Sequence, residues 1–172
     1  MALAAWSACG GRPGPSAEGS GQTVLKPLPA GPDRTYRHRE LVYVPVYSSI
    51  YWGFDGKLSE LAATLSIRNV SPAHAIVIRS VAYYDSDGRK LREYLRQPGS
   101  LAPLATADFV IQRTDKAGGP GANFLVEWAS SEDVDEPLIE AVMIGQHGNA
   151  GISFTGAGRR LRKASAALGA GN

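Results

Sequence analysis

The stretch Leu61-Ala-Ala-Thr-Leu-Ser-Ile-Arg68, together with the run from Ile76 to Leu95, decides the fold class of this chain. Leu61, Leu65 and Ile67 alternate with small or polar residues, which is the two-residue period of a half-buried β-strand. In the later run, Asp87-Gly88 supplies residues that tolerate positive φ, as a tight turn between two strands requires. The stretch therefore predicts antiparallel β structure, and it does not by itself indicate a chemistry.

The same pattern continues on both sides and predicts seven or eight short strands. Turns rich in Gly, Pro, Asp and Asn separate them, and no helical crossover intervenes. We therefore expect an all-β fold, a single antiparallel two-sheet sandwich that is immunoglobulin-like, with one short helical turn allowed near Ser131–Glu136. The predicted strands are Leu41–Tyr47, Leu61–Asn69, Ile76–Asp85, Leu91–Leu95, Asp108–Gln112, Asn123–Ala129, Leu138–Gly145 and Gly151–Phe154.

The expected core consists of the large apolar side chains on these strands, each of which contributes about 1.5–3 kcal/mol when it is buried. Pro45 cannot donate a ladder hydrogen bond, so the first strand is expected at an edge or with a bulge. The predicted core residues are Leu65, Ile67, Phe124, Val126, Trp128 and the Leu138–Ile144 set.

The length of 172 residues suits one ordinary domain. Residues 40–156 carry the strand pattern and are expected to form it. Residues 1–39 are rich in Gly, Pro and Ser with little apolar periodicity, so we expect a disordered N-terminal tether. Residues 157–172 form a short basic C-terminal tail, which is interpreted as a solvated end, with a short basic helix as the alternative.

The single cysteine, Cys9, follows Met-Ala-Leu-Ala-Ala-Trp-Ser-Ala and precedes the tether. Small residues before a cysteine that begins a flexible segment resemble the processing site of a bacterial lipoprotein, where the cysteine is acylated. The apolar stretch is shorter than the usual ~7–15 residues and lacks a preceding Lys or Arg, as a start codon placed too far downstream would explain. We predict lipidation at Cys9 and a periplasmic or outer-membrane-anchored protein. The alternative is an incidental cysteine in a cytoplasmic protein.

The charge distribution limits the class of partner. The formal net charge is +2, but residues 41–155 hold nine basic and thirteen acidic residues, a net of −4. A nucleic-acid-binding face on the domain is therefore not expected. No apolar run reaches the ~20 residues of a membrane-spanning helix, so membrane contact is expected only through the N-terminal lipid. The expected partner is an envelope protein or a small ligand, and the chain is expected to be a monomer.

An aromatic group is the best candidate for binding. Tyr43, Tyr47, Tyr51, Trp52 and Phe54 place five large rings within twelve residues. Because alternate side chains of a strand point to opposite faces, one face cannot bury all of them. We therefore predict a binding surface at Tyr47, Tyr51, Trp52 and Phe54. The alternative is that these rings cap one end of the sandwich.

The run Gly118-Gly119-Pro120-Gly121 is a second candidate. It leads into a strand rather than a helix, and no Gly-Lys-Ser/Thr follows, so it does not match a phosphate-binding loop. A tight turn that uses positive φ is the favoured interpretation. Unpaired backbone amides at Gly119 and Gly121 are nevertheless predicted to form part of a binding surface.

No catalytic constellation is recognised, and neither a cofactor nor a metal ligand is predicted. Asp85-Ser86-Asp87-Gly88 has the spacing of a calcium loop, but the later bidentate Glu is missing and a strand continues, so a hairpin turn is the better interpretation. His38, His74 and His147 are far apart in sequence. The alternative function is a small hydrolase or a metal-dependent enzyme whose site is assembled from loops around His74 or His147.

Several stretches together resemble a known family. They are Tyr43–Ser48, Ser66–Asn69, Tyr83–Asp85 with Gly88, and the most specific one, Gly118–Trp128. Over about residues 40–160 the chain resembles the bacterial domain of unknown function 3124. The resemblance implies a small bacterial protein of one domain, frequently exported, with no assigned activity and no catalytic residues. The combined prediction is a non-enzymatic, extracytoplasmic β-sandwich module, a binding or accessory protein of the bacterial envelope.

Overall fold

A computed structural model describes residues 24–28, 35–53 and 56–162 of the chain. Within these residues it holds twelve β-strands, and the strand pairs among them are antiparallel. Their bounds are β1 (Lys26–Pro27), β2 (His38–Pro45), β3 (Ser49–Trp52), β4 (Lys57–Arg68), β5 (Ile76–Tyr84), β6 (Lys90–Glu93), β7 (Gly99–Leu101), β8 (Thr106–Ile111), β9 (Asn123–Ser130), β10 (Leu138–His147), β11 (Ala150–Ala157) and β12 (Arg159–Arg160).

The strands form two antiparallel sheets, which confirms the predicted all-β class. Sheet 1 has the order β1-β7-β5-β9-β2-β12, with β6 also paired to β5. Sheet 2 has the order β11-β10-β4-β3, with β8 also paired to β4. The long strand β4 pairs with β10 along one edge, while β3 and β8 share its other edge.

One hydrophobic core lies between the sheets. Leu65 and Ile67 of sheet 2, and Phe124 and Val126 of sheet 1, are fully buried in it, and Trp128 is almost so. Within the predicted Leu138–Ile144 set the expectation is corrected. Ile139, Ala141 and Met143 are buried, whereas Leu138 and Ile144 are exposed, because neighbouring side chains of β10 point to opposite faces of sheet 2.

The chain passes from sheet 1 to sheet 2 between β2 and β3. The amide of Val46 donates to the Ala122 carbonyl (3.0 Å), and that of Ser48 donates to the Gly119 carbonyl (3.1 Å). Pro45 lies beyond the part of β2 that β12 covers, since β12 pairs only with Val42 and Tyr43. Among the described strands β2 is locally an edge at this point, so the missing N–H of Pro45 breaks no pairing there, as expected from the sequence.

Four strands lie where the sequence predicted none. β1 falls in the segment predicted as a disordered tether, and β12 in the predicted C-terminal tail beyond residue 156. β3 lies between the predicted strands Leu41–Tyr47 and Leu61–Asn69, and β7 lies between Leu91–Leu95 and Asp108–Gln112. β1, β7 and β12 have two or three residues each, too few to show a two-residue period. Sheet 1 therefore extends past both predicted bounds of the domain.

The short helical turn allowed for Ser131–Glu136 is not formed. This segment is irregular chain, and the Ser130 hydroxyl holds its start by donating to the Glu132 carbonyl (3.1 Å) and accepting from the Glu132 amide (3.1 Å). No helix of the described residues is long and apolar enough to cross a membrane. Cys9 lies outside the described residues.

Candidate binding surface

Of the predicted aromatic residues that the structure describes, the most exposed lies in the β3–β4 hairpin. Tyr51 of β3 lies directly opposite Leu58 of β4, and their exposed fractions are 68% and 52%. Because residues paired across two strands share a face, the two side chains form one apolar spot on the outer face of sheet 2. Trp52 is the next residue along β3 and therefore points to the opposite face.

Trp52 packs against a histidine from another strand. Its ring stacks on that of His147, at the end of β10, with centroids 5.1 Å apart and planes 26° apart. Trp52 is half-buried and His147 is exposed, so the pair presents an open aromatic surface. We call Tyr51, Trp52, Leu58 and His147 the aromatic tip.

The other predicted aromatic residues lie elsewhere. Tyr47 is half-buried and contacts Phe154 of β11 edge to face, with centroids 5.6 Å apart, so its ring packs against the core. Phe54 lies outside the described residues. The structure thus separates the group into an exposed part, Tyr51 and Trp52, and a packing part, Tyr47, which fits the capping alternative.

The glycine loop 118–121 is held by two serine hydroxyls. The Gly119 amide donates to Ser48 Oγ (2.7 Å), and the Gly121 amide donates to Ser86 Oγ (2.9 Å). Ser86 Oγ also donates to the Gly118 carbonyl (2.9 Å). The prediction of unpaired amides at Gly119 and Gly121 is therefore wrong, because both amides are used within the fold.

Gly118 is required by close packing against a buried tyrosine. A Cβ at this position would lie 1.9 Å from Tyr83 Oη and 2.8 Å from the Ala122 Cβ. Burial raises the pKa of Tyr83 to about 12, and the Ser48 hydroxyl opposes this shift. Gly119 adopts a φ of 75°, as the turn interpretation expected.

The turn at Asp85–Gly88 is a hairpin turn. Asp85 Oδ1 accepts hydrogen bonds from the amides of Asp87 (2.9 Å) and Arg89 (2.8 Å), and Gly88 has a φ of 78°. The carboxylate of Asp85 is thus used to close the turn, which is the behaviour of an Asx-turn.

His74 and His147 lie at opposite ends of the two sheets. His147 is the last residue of β10. The first residue of β10, Leu138, pairs with Arg68 at the end of β4, and His74 lies in the loop that follows β4. The ten residues of β10 separate these ends by roughly 30 Å. One site cannot include both histidines. The histidine that does contact a carboxylate is His38, whose Nε2 lies 3.3 Å from Asp133 Oδ1. No group of three or more His, Cys, Asp or Glu side chains that could hold a metal is found in the described part of the chain.

Sequence reasoning missed a charged cluster on the outer face of sheet 1. Glu127 Oε1 accepts from Arg39 Nε (2.7 Å) and lies 2.8 Å from Arg79 Nε, while the Arg79 guanidinium lies over the Tyr36 ring. A register shift in β5 between Ile78 and Ser80 places Arg79 there. The sequence carried a signal for it, because isoleucine occupies the even positions 76 and 78, whereas the large residues Val81 and Tyr83 occupy odd positions.

One cleft lies beside the β1–β7 pair. Its volume is about 310 Å³, and it is lined by Leu25, Pro27, Leu95, Arg96, Gln97, Pro98 and Gly99. The cleft lies on sheet 1, whereas the aromatic tip lies on sheet 2, and it includes none of the predicted site residues.

Comparison with known proteins places these features in a family. The model of the family described as "Protein of unknown function (DUF3124)" matches residues 39–161. The chain belongs to this family. Within the DUF3124 match, three of the four stretches that suggested the resemblance meet in space, since Ser48, Tyr83 and the glycine loop are in contact.

A solved structure, "Crystal Structure of Thermotoga maritima 1070", is similar to this DUF3124 chain with a TM-score of 0.45 and 12% identity. The similarity covers 72% of this chain and 95% of that one. No curated protein matches the sequence.

Proposed function

We propose that this chain is a non-enzymatic, extracytoplasmic binding module of the bacterial cell envelope. In this proposal an immunoglobulin-like sandwich presents the aromatic tip to another envelope component, and acylated Cys9 tethers the module to a membrane. Binding, rather than catalysis, is the role that the side chains of the aromatic tip suit best.

The exposure of Tyr51 is the observation that carries the proposal. Tyr51 is 68% exposed and the neighbouring Leu58 is 52% exposed, so the outer face of sheet 2 presents apolar surface to water at these two residues. Tyrosine and tryptophan bury large area at a small cost in side-chain entropy, and they are enriched among the residues that dominate binding energy. The stack on His147 also holds the Trp52 ring in place before a partner arrives.

Site-specific photo-cross-linking in intact cells tests the binding role. A benzophenone amino acid replaces Tyr51 in the full-length protein, and the matched control replaces Leu104, which is equally exposed at 68% but lies in the β7–β8 loop at the opposite end. We expect a defined adduct from position 51 and none from position 104. The Trp52→Ala substitution should reduce the adduct at least fivefold. Equal cross-linking from both positions, or none from position 51, would contradict the role of the aromatic tip.

Fatty-acid labelling tests the tether separately. Cells that express the protein from its full-length gene are labelled with radioactive palmitate, and Cys9→Ala is compared with Ser7→Ala in the same segment. We expect label in the parent protein and in Ser7→Ala, and loss of the label in Cys9→Ala. Label that is indifferent to Cys9→Ala would remove the anchoring part of the proposal and leave the binding part in place.

A further inference from the structure

β11 forms one edge of sheet 2. Among the described residues it pairs with β10 alone, over Ala150–Ala157. Hydrogen bonding in an antiparallel pair alternates along the strand, and here the Gly158 amide donates to the Ile139 carbonyl (2.8 Å). Even-numbered residues of β11 therefore bond to β10. The odd-numbered residues Gly151, Ser153, Thr155 and Ala157 direct their N–H and C=O groups outward.

This edge lacks the features that usually prevent strands from pairing between molecules. β11 reads Ala-Gly-Ile-Ser-Phe-Thr-Gly-Ala and contains neither a charged residue nor a proline. The edges of sheet 1 differ: β1 is Lys-Pro, β12 is Arg-Arg, and β6 is Lys-Leu-Arg-Glu. Short length, charged side chains and proline commonly prevent an edge strand from pairing with another molecule. The edge strands of sheet 1 have these features, and β11 does not.

The strand is also complementary to itself in one register. If two copies of β11 pair antiparallel about Phe154, Gly151 faces Ala157 and Ser153 faces Thr155, so all four outward-directed residues of each copy make ladder hydrogen bonds. Phe154 then faces Phe154 of the other copy, and Ile152 faces Gly156, which has no side chain to obstruct it. No like charges oppose each other in this register.

We infer that β11 is a homodimerisation strand that pairs with β11 of a second copy, joining two copies of sheet 2 into one continuous ten-stranded sheet. The second copy is the occupant because the register satisfies every outward backbone group and places ring against ring. Phe154 and Ile152 are only partly buried in the single chain, and pairing completes their burial. This inference replaces the expectation of a monomer, and it does not depend on the aromatic tip.

Sedimentation velocity on the full 172-residue chain tests the inference, with a reductant present so that Cys9 cannot cross-link the copies. At roughly 100 µM we expect a species of twice the 18.2 kDa chain mass that dissociates on dilution. A purely monomeric chain at this concentration would overturn the inference.

Thr155→Pro is the decisive variant. The Thr155 N–H points away from β10, so proline removes no hydrogen bond among the described residues but blocks the second strand. We expect the dimer to weaken at least tenfold, while Thr155→Val, which keeps the amide and the shape, leaves it unchanged. Ser153→Lys places a charge on the edge without altering the backbone and should weaken the dimer as well. Circular dichroism checks folding, and if Thr155→Pro fails to fold, Ser153→Lys decides. A dimer that is unaffected in the folded variants would show that another surface joins the copies.

Discussion

The glycine loop 118–121, which contacts Ser48, and the aromatic tip, whose strand β3 begins at Ser49, are built in opposite ways. In the glycine loop 118–121, backbone amides and a carbonyl are bonded to the hydroxyls of Ser48 and Ser86. In the aromatic tip, Tyr51 projects into water, and Trp52 contacts one neighbouring ring, that of His147. The glycine loop is therefore part of the scaffold, whereas the exposed rings of the aromatic tip are available to a partner.

The difference teaches which feature of a loop indicates function. Glycines are needed where the backbone comes close to other atoms, and the close approach at Gly118 is to Tyr83 of the same chain. Large rings that are exposed to water contribute little to the stability of the fold. They can therefore be selected for contact with a partner. Substitutions should therefore affect stability in the glycine loop and binding in the aromatic tip.

Gly118→Ala should have the largest effect on stability. The added Cβ cannot fit between Tyr83 Oη and Ala122, so we expect a loss of about 3 kcal/mol in the free energy of unfolding, measured by urea denaturation. The matched control is Gly151→Ala, where nothing lies within 4 Å of the new Cβ, and it should change stability by less than about 0.5 kcal/mol. Tyr83→Phe, which removes the clashing oxygen, should restore part of the loss in the double variant. Additive effects of the two substitutions would show that this contact is not the cause.

Alkaline pH should destabilise the fold through Tyr83. Burial raises its pKa from 10.0 to about 12, so between these values the unfolded chain releases a proton that the native chain retains. The contribution of Tyr83 to stability is therefore complete below pH 10 and is lost as the pH rises toward 12, by up to about 3 kcal/mol. Burial also raises the pKa of Tyr94, which adds to the same slope. Tyr83→Phe should flatten the decline and the exposed Tyr51→Phe should not; identical alkaline curves for parent and Tyr83→Phe would contradict the assignment.

Tyr51→Ala should have the smallest effect on stability. The side chain is 68% exposed, so its truncation should change the free energy of unfolding by less than about 0.5 kcal/mol, by the same urea measurement. Tyr47→Ala is the comparison, since Tyr47 packs on Phe154, and it should cost more than about 1 kcal/mol. Equal losses for the two variants would mean that Tyr51 is part of the packing, and the contrast between the loop and the tip would not hold.

The sequence predicted strands β4 and β9 well because their large apolar side chains recur at every second position. Leu61 to Ile67 and Phe124 to Trp128 have core residues at every second position, and their assignment needs no knowledge of the neighbouring strands. The strands β1, β7 and β12 were not predicted because they are only two or three residues long. Their strand conformation comes from pairing with a neighbouring strand.

The candidate site was predictable only in part. Five rings in twelve residues indicated that some must be exposed, but the identity of the exposed ones depends on which face each strand presents to the core. His147 is ninety-five residues from Trp52 in the sequence, so their stacking follows from the pairing of β10 with β4 and could not be read locally. The amides of Gly119 and Gly121 likewise donate to Ser48 and Ser86, which lie in two other loops and are distant in the sequence.

By itself the sequence determined the β class, the Asp85–Gly88 turn and membership of a family without an assigned activity. Each of these can be recognised from short stretches of consecutive residues. Tertiary structure alone decided that Tyr51 is exposed, that Gly118 must accommodate Tyr83, and that β11 ends a sheet with its outward amides unpaired by any described strand. The physical reason is that burial and hydrogen bonding between distant segments depend on how whole sheets pack, whereas periodicity and turn geometry depend on a few consecutive residues.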